Sequence, residues 1–238
     1  MITRVTITGP DDSISPSALI ALNDKYPFVE WGILVSQKHF GANRFPSMEW
    51  IKRLELVKKD HPEIKLSCHL CGKYVRDLCL GSDLAIKELG ELWNMFDRVQ
   101  INFHGIPHNK SIDFIHLLLE QKDKEFIFQF DDVNNNIIDA VSKAGVNCSA
   151  LFDTSGGAGI LPNEWPEPLQ NIKCGYAGGI SPENIEVQIK LIESKVGETE
   201  IWIDMETHVR SNNDSQFDLS KVEKCLEISS SYVSQTVL

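Results

Sequence analysis

Nowhere in its 238 residues does the chain contain an apolar run approaching the roughly 20 residues a membrane-crossing helix needs, so no membrane partner is expected. The opening residues Met1 to Ile7 enter a strand-like alternation without the apolar segment of a secretory signal, which gives a cytoplasmic protein as the expectation. Positive charge is also scarce. There are 23 Lys and Arg against 34 Asp and Glu, a formal net charge of -11. A surface of that sign repels DNA and RNA, so no nucleic-acid partner is expected, and an anionic substrate must be gripped by a local site. The six cysteines are scattered rather than framed as disulfide pairs; Cys148, Cys174 and Cys225 fall inside strand or helix patterns as small hydrophobes. Cys68, His69 and Cys71 have the spacing of half a zinc site, but no second pair completes it, so no metal is expected. The first turn, Thr8-Gly9-Pro10-Asp11-Asp12, lacks the glycine fingerprint of dinucleotide binding, and no cofactor is expected.

What is present is an alternation. Short, β-rich apolar runs recur at residues 4–9, 28–35, 64–70, 98–104, 125–131, 147–153, 172–177 and 200–205, with amphipathic stretches between them. Eight βα repeats in a chain of this length predict a single domain, residues 1–238, folded as a (β/α)8 barrel, the TIM-barrel class of α/β protein. Helix starts are readable at Ser47, at Ser111, at Ser181 before Pro182, and at Asp218. After the sixth run, Pro162, Pro166 and Pro168 leave no room for a regular helix interior, so the sixth helix should be short or missing.

In such a barrel the chemistry sits at the C-terminal ends of the strands. Two segments stand out there. The sixth strand ends in Asp153 and opens into Thr154-Ser155-Gly156-Gly157-Ala158-Gly159. The seventh runs through Gly178-Gly179 into Ile180-Ser181-Pro182-Glu183-Asn184. Glycines let backbone N–H groups close on an anion, and a following helix adds a favourable dipole, so both suit a phosphate; tight turns alone would use the same residues. The expected anion site comprises Gly156, Gly157, Gly178, Gly179 and the strand-8 loop near Thr207.

The run Ala177-Gly178-Gly179-Ile180-Ser181-Pro182-Glu183-Asn184-Ile185 resembles the strand-7 motif of the phosphoribosylanthranilate isomerase family. Phe152-Asp153-Thr154 with its glycine loop resembles that family's strand-6 motif. Trp202-Ile203-Asp204, with Phe217 to Val222 downstream, is similar to its strand 8 and last helix. Val99-Gln100 with His104-Gly105 echoes strand 4, and Asn43-Arg44-Phe45 falls where the family has an arginine for the substrate carboxylate. The likeness is specific over residues 147–226 and weaker before. It implies an isomerase of tryptophan biosynthesis, an intramolecular oxidoreductase turning an aminoaldose phosphate into an aminoketose phosphate, with a small phosphorylated substrate and a homodimer as an open expectation. It also implies that Asp153 is the general acid, Arg44 and His104 contact substrate, and the glycines bind phosphate.

The first strand departs from the pattern. Where the family places a cysteine base, this chain has Thr8, whose hydroxyl has no accessible alkoxide near neutral pH. The base is therefore open: Asp204, at the end of strand 8 and next to strand 1 in a closed barrel, competes with a carboxylate bonded to loop amides, and His69, His104 and Asp131 also end strands. Asp153 as acid competes with a loop-capping carboxylate, and Arg44 as clamp with a solvated arginine. In the strand-8 loop, Glu206 repels a phosphate while His208 or Arg210 attracts one. Two alternatives remain: a phosphosugar lyase or aldolase, for which Lys65 and Lys173 lie too early in their strands, and a barrel that binds a phosphorylated ligand without chemistry.

Overall fold

A computed structural model of the chain describes residues 1–102, 111–130, 135–153, 155 and 158–234, with backbone only at 111 and 135. Eight strands form a closed parallel barrel in sequence order: β1 Ile2–Thr8, β2 Val29–Val35, β3 Lys65–Leu70, β4 Arg98–Ile101, β5 Glu125–Phe130, β6 Cys148–Phe152, β7 Lys173–Ala177 and β8 Ile201–Met205. The seam closes where β1 pairs with β8, Thr6 opposite Asp204. The eightfold alternation thus folds as the sequence indicates, with β1 beginning two residues earlier than its apolar pattern suggests. No helix among the described residues is long and apolar enough to cross a membrane.

Helices α1 Ala18–Lys25, α2 Met48–Asp60, α3 Lys73–Cys79, α4 Leu84–Leu89, α5 Ser111–Glu120, α6 Asn135–Lys143, α7 Ile185–Val196 and α8 Leu219–Ser230 surround the sheet. Their starts follow from local chemistry. Ser47 accepts the Trp50 N–H and starts α2, whose Trp50, Ile51 and Leu54 are buried; Asp218 accepts the N–H groups of Ser220 and Lys221 and starts α8. Ser181 does not cap α7 directly. Its N–H is taken by the Asn184 side chain and its carbonyl accepts from Asn184 and Ile185, so a turn precedes the helix. Between β6 and β7 the described residues contain no helix. Trp165 fills that place, its ring against Tyr176 at 5.9 Å and its indole N–H on Gln188, while the Tyr176 hydroxyl donates to the Pro166 carbonyl.

Alternate residues of each strand face opposite ways. One set, with Val5, Ile7, Trp31, Ile33, Cys68, Val99 and Phe128, builds the main core against the helices. The other set fills the barrel interior, which is divided. On one side Ile127, Leu151, Ala177 and Trp202 form a small separate apolar cluster. On the other, fully buried Glu30 accepts from Arg4 (2.6 Å), Thr6 (2.9 Å) and Arg98 (3.0 Å), and the Arg98 guanidinium stacks 4.2 Å from the Trp202 ring. Burial alone would raise the Glu30 carboxyl, but Arg98 and Arg4 hold it below the usual range, so this interior charge is paired.

Candidate active site at the barrel mouth

The C-terminal ends of the strands open into a narrow cleft of about 40 Å³ whose lining includes Asp153, Ser155, Gly178, Gly179, Asp204 and Thr207, joined by His69, Gln100, Glu206 and His208. Asp153, Asp204, Gly178, Gly179 and Thr207 therefore share one space, whereas Thr8 and Arg44 do not line it. Asp153 follows β6, and its Oδ1 accepts both the Ser155 N–H (3.0 Å) and the Ser155 hydroxyl (2.7 Å). Gln129 of β5 donates to the Asp153 carbonyl, fixing the strand end.

Thr8 and Asp204 meet across the barrel seam. The Thr8 hydroxyl donates to Asp204 Oδ1 at 2.8 Å, and its oxygen lies 3.5 Å from His69 Nδ1. All three residues are buried. Gly32 on β2 makes this meeting possible: a Cβ there would stand 2.3 Å from the Thr8 hydroxyl and 2.9 Å from His69 Cε1 and Nε2. Burial raises the Asp204 carboxyl well above the usual range, and its neighbours Glu206, Glu30 and Asp153 add to this against the Thr8 hydrogen bond. Burial also lowers His69 to about 4, so the ring is neutral at ordinary pH. Its Nε2 and the Gln100 Oε1 are buried without a protein partner.

The glycine corner is close-packed. Gly178 and Gly179 have φ of +107° and +69°, conformations that L side chains rarely adopt. A Cβ at Gly179 would stand 2.3 Å from the Leu161 nitrogen, and one at Gly178 would stand 2.9 Å from the Ile160 carbonyl. The chain after β6 thus crosses directly over this turn. His208 Nε2 donates to the Gly159 carbonyl at 2.9 Å, tying the β6 and β8 loops together.

Arg44 stands beside the cleft, held by protein carboxylates. It donates to Glu206 at 2.7 Å, to both oxygens of Asp214 at 2.8 Å and to the Thr207 hydroxyl at 3.2 Å, with φ of +72°. Glu206 is raised by burial, with Arg44 opposing the shift. Arg210 is fully buried behind it, donating to the Gly9 carbonyl and Asp11 Oδ2, each at 2.6 Å. Gly156, Gly157, His104 and Asp131 lie outside the described residues.

Among the described residues no lysine lines the cleft: Lys65 donates to the Pro27 carbonyl, and Lys173 is the first residue of β7. Cys68 belongs to the main core and the Cys71 sulfur receives a hydrogen bond from Asn102. Sequence reasoning missed Gly32, Asp11, Asp214 and Glu30. A glutamate and a glycine two apart in the otherwise apolar β2 were the available signal for a polar interior face.

No family model matches the sequence, and no curated protein matches it. Among solved structures, the chain is similar to monomers of the dimeric phosphoribosylanthranilate isomerase of Thermotoga maritima. The TM-score is 0.55 and the identity 14%, over 97% of this chain and 100% of that one. The N-(5'-phosphoribosyl)anthranilate isomerase of Pyrococcus furiosus gives 0.55 and 14%, over 96% and 99%. A phospho-2-dehydro-3-deoxyheptonate aldolase of Thermotoga maritima gives 0.52 and 12%, over 96% and 69%. At such identities the shared property is the barrel fold.

Proposed function

We propose that this barrel is an isomerase of a phosphorylated sugar, of the phosphoribosylanthranilate type, converting an aldose into a ketose. The observation that carries the reading is that Asp153, Asp204 and the Gly178-Gly179 turn line one cleft at the mouth of the barrel. Asp153 would act as the acid that opens the sugar ring, and the amides of Gly178 and Gly179, with Gly156, Gly157 and the Thr207 loop, would hold the phosphate. His104 and Arg44 would contact the rest of the substrate. Because Arg44 is already bound to Glu206 and Asp214, a substrate carboxylate would release one of them. The fold neighbours include two isomerases of this kind. The absence of a lysine from the cleft lining, among the described residues, speaks against a Schiff-base aldolase.

The experiment is the loss of fluorescence as phosphoribosylanthranilate is consumed, followed for native protein and for Asp153→Asn. Turnover by the native protein, falling roughly 10²- to 10⁴-fold in the variant with inorganic phosphate affinity held within about tenfold, supports the assignment. Equal turnover in a folded Asp153→Asn protein refutes the role of Asp153. A second reading, a barrel that binds a phosphorylated ligand without converting it, is favoured by the Ile160–Leu161 backbone lying over the glycine turn and by a hydroxyl at Thr8. It is the outcome if inorganic phosphate binds and the native protein shows no turnover.

A further inference from the structure

The isomerase reading leaves a proton acceptor to be found, and the barrel interior holds one that the strand-1 comparison does not suggest. A threonine hydroxyl carries one proton. When Thr8 donates that proton to an ionised Asp204, its oxygen can only accept from His69, which puts a hydrogen on Nδ1 and leaves the lone pair on Nε2. Nε2 is buried, has no protein partner, and belongs to a residue that lines the cleft, and the missing side chain of Gly32 is what gives its ring edge room to stand beside Thr8. When Asp204 is protonated the chain runs the other way: Asp204 donates to Thr8, Thr8 donates to Nδ1, and the hydrogen moves to Nε2. The tautomer of the ring is thus tied to the charge of a carboxylate on the far side of the hydroxyl.

We propose that Asp204, Thr8 and His69 form a proton relay in which His69 Nε2 takes the carbon-bound proton of the substrate. The inference rests on the isomerase reading for its substrate, though not for the relay itself. In the ring-opened iminium the C2–H bond breaks as the N–H bond forms on Nε2, and the electron pair moves into the C1–C2 bond to give an enolamine. The Nδ1 proton passes to the Thr8 oxygen as the Thr8 proton passes to Asp204, so the charge ends neutralised on the carboxyl and the ring is again neutral. An imidazole that holds a proton only below about 4 is a poor acceptor by itself. It becomes competent because it keeps no charge, the proton ending on a carboxyl whose burial favours the neutral form. The other charged groups acting on the ring are Glu30 and Arg98, which pair with each other, so no single uncompensated charge pins its state.

The test joins two readouts, ring ¹⁵N resonances of His69 by NMR and consumption of phosphoribosylanthranilate. In a pH series on the folded native protein, the ring should carry its hydrogen on Nδ1 where Asp204 is ionised and pass to the Nε2–H form as pH falls and Asp204 takes up its proton. Thr8→Val should abolish that coupling and lower turnover about 10²-fold, Thr8→Ser should restore much of both, and His69→Gln should lower turnover roughly 10²- to 10⁴-fold. An Nε2–H ring at every pH, a tautomer indifferent to Thr8→Val, or full turnover in folded His69→Gln overturns the proposal. Should His69→Gln fail to fold, the ring resonances of native and Thr8→Val proteins still decide. Coupled tautomers without any turnover would remove the isomerase reading and the base role while keeping the relay. Turnover with a fixed Nε2–H ring would remove the relay and keep the isomerase.

Discussion

Thr8 Oγ1 and Asp204 Oδ1 lie 2.8 Å apart across the seam between the first and last strands, so the threonine at the end of the first strand is a donor to a buried carboxylate. Replacing it by cysteine would supply a thiol in a buried place beside Asp204, where burial and a negative neighbour both disfavour the thiolate. Thr8→Cys is therefore expected to turn over phosphoribosylanthranilate no faster than the native protein, and more slowly because a thiol is a weaker donor to Asp204. A tenfold or greater rise, on the order of 1.4 kcal/mol of barrier, would return the base to strand 1.

Gly179 carries two burdens, a φ of +69° and a backbone neighbour, the Leu161 nitrogen, that would stand 2.3 Å from any Cβ. Strain of the first kind costs about 1–3 kcal/mol, and the clash adds to it because backbone cannot swing aside as a side chain does. Gly179→Ala should lower the urea midpoint accordingly, with or without phosphate present. A midpoint equal to native would mean that the crossing of the β6 loop over this turn is misplaced.

The architecture was open to sequence reading because parallel strands buried on both faces announce themselves as apolar runs, and a capping Ser47 or Asp218 marks its helix without help from the rest of the chain. Co-location of Asp153, Asp204, Gly178 and Gly179 followed from the barrel rule alone, since all stand at C-terminal strand ends. The partners of those residues did not. Arg44 meets Asp214 over 170 positions of sequence and Arg210 meets Asp11 over 199, and nothing local in either segment specifies such a pairing. His69 was visible only as a histidine near a strand end; its significance depends on a hydroxyl from β1 and on the missing side chain of Gly32 on β2.

The pair of Asp11 and Arg210 predicts a large structural effect from a residue that does not line the cleft. Both side chains are buried, and Asp11 also receives the Ser13 hydroxyl and the backbone N–H groups of Ser13 and Arg44. Burial by itself would raise the Asp11 carboxyl, but these hydrogen bonds and Arg210 bring it below its ordinary 3.8. Its contribution is thus present above the unfolded value and lost as pH falls through the lower folded one. Asp11→Ala would leave the Arg210 charge buried with only carbonyls and Asp214, and is expected to cost about 3–5 kcal/mol. Denaturant melts at neutral pH measure this, and a loss below about 1 kcal/mol would place the pair among those contributing little.

The neutral, buried ring of His69 gives a signature in stability that does not require a substrate. The unfolded chain protonates this histidine near pH 6.5, whereas burial keeps the folded ring neutral down to about 4. Between those values the unfolded state binds the extra proton, so the stability contributed by His69 is fully present above about 6.5 and drains away as pH falls toward 4. At about 1.36 kcal/mol for each pH unit, the window is worth about 3 kcal/mol. Asp204 and Glu206, raised in the fold, act in the opposite direction, contributing stability at low pH that is lost as pH rises through their folded values. Total stability is then a poor witness, and the difference between native protein and His69→Gln is the useful quantity, because both proteins keep those two carboxyls. Measured by urea melts in steps from pH 4 to 6.5, the native protein should gain about 3 kcal/mol over the variant across the window. Parallel curves would mean that the His69 ring titrates in the fold as it does in the unfolded chain, and that its Nε2 is hydrated rather than held bare beside Gly32.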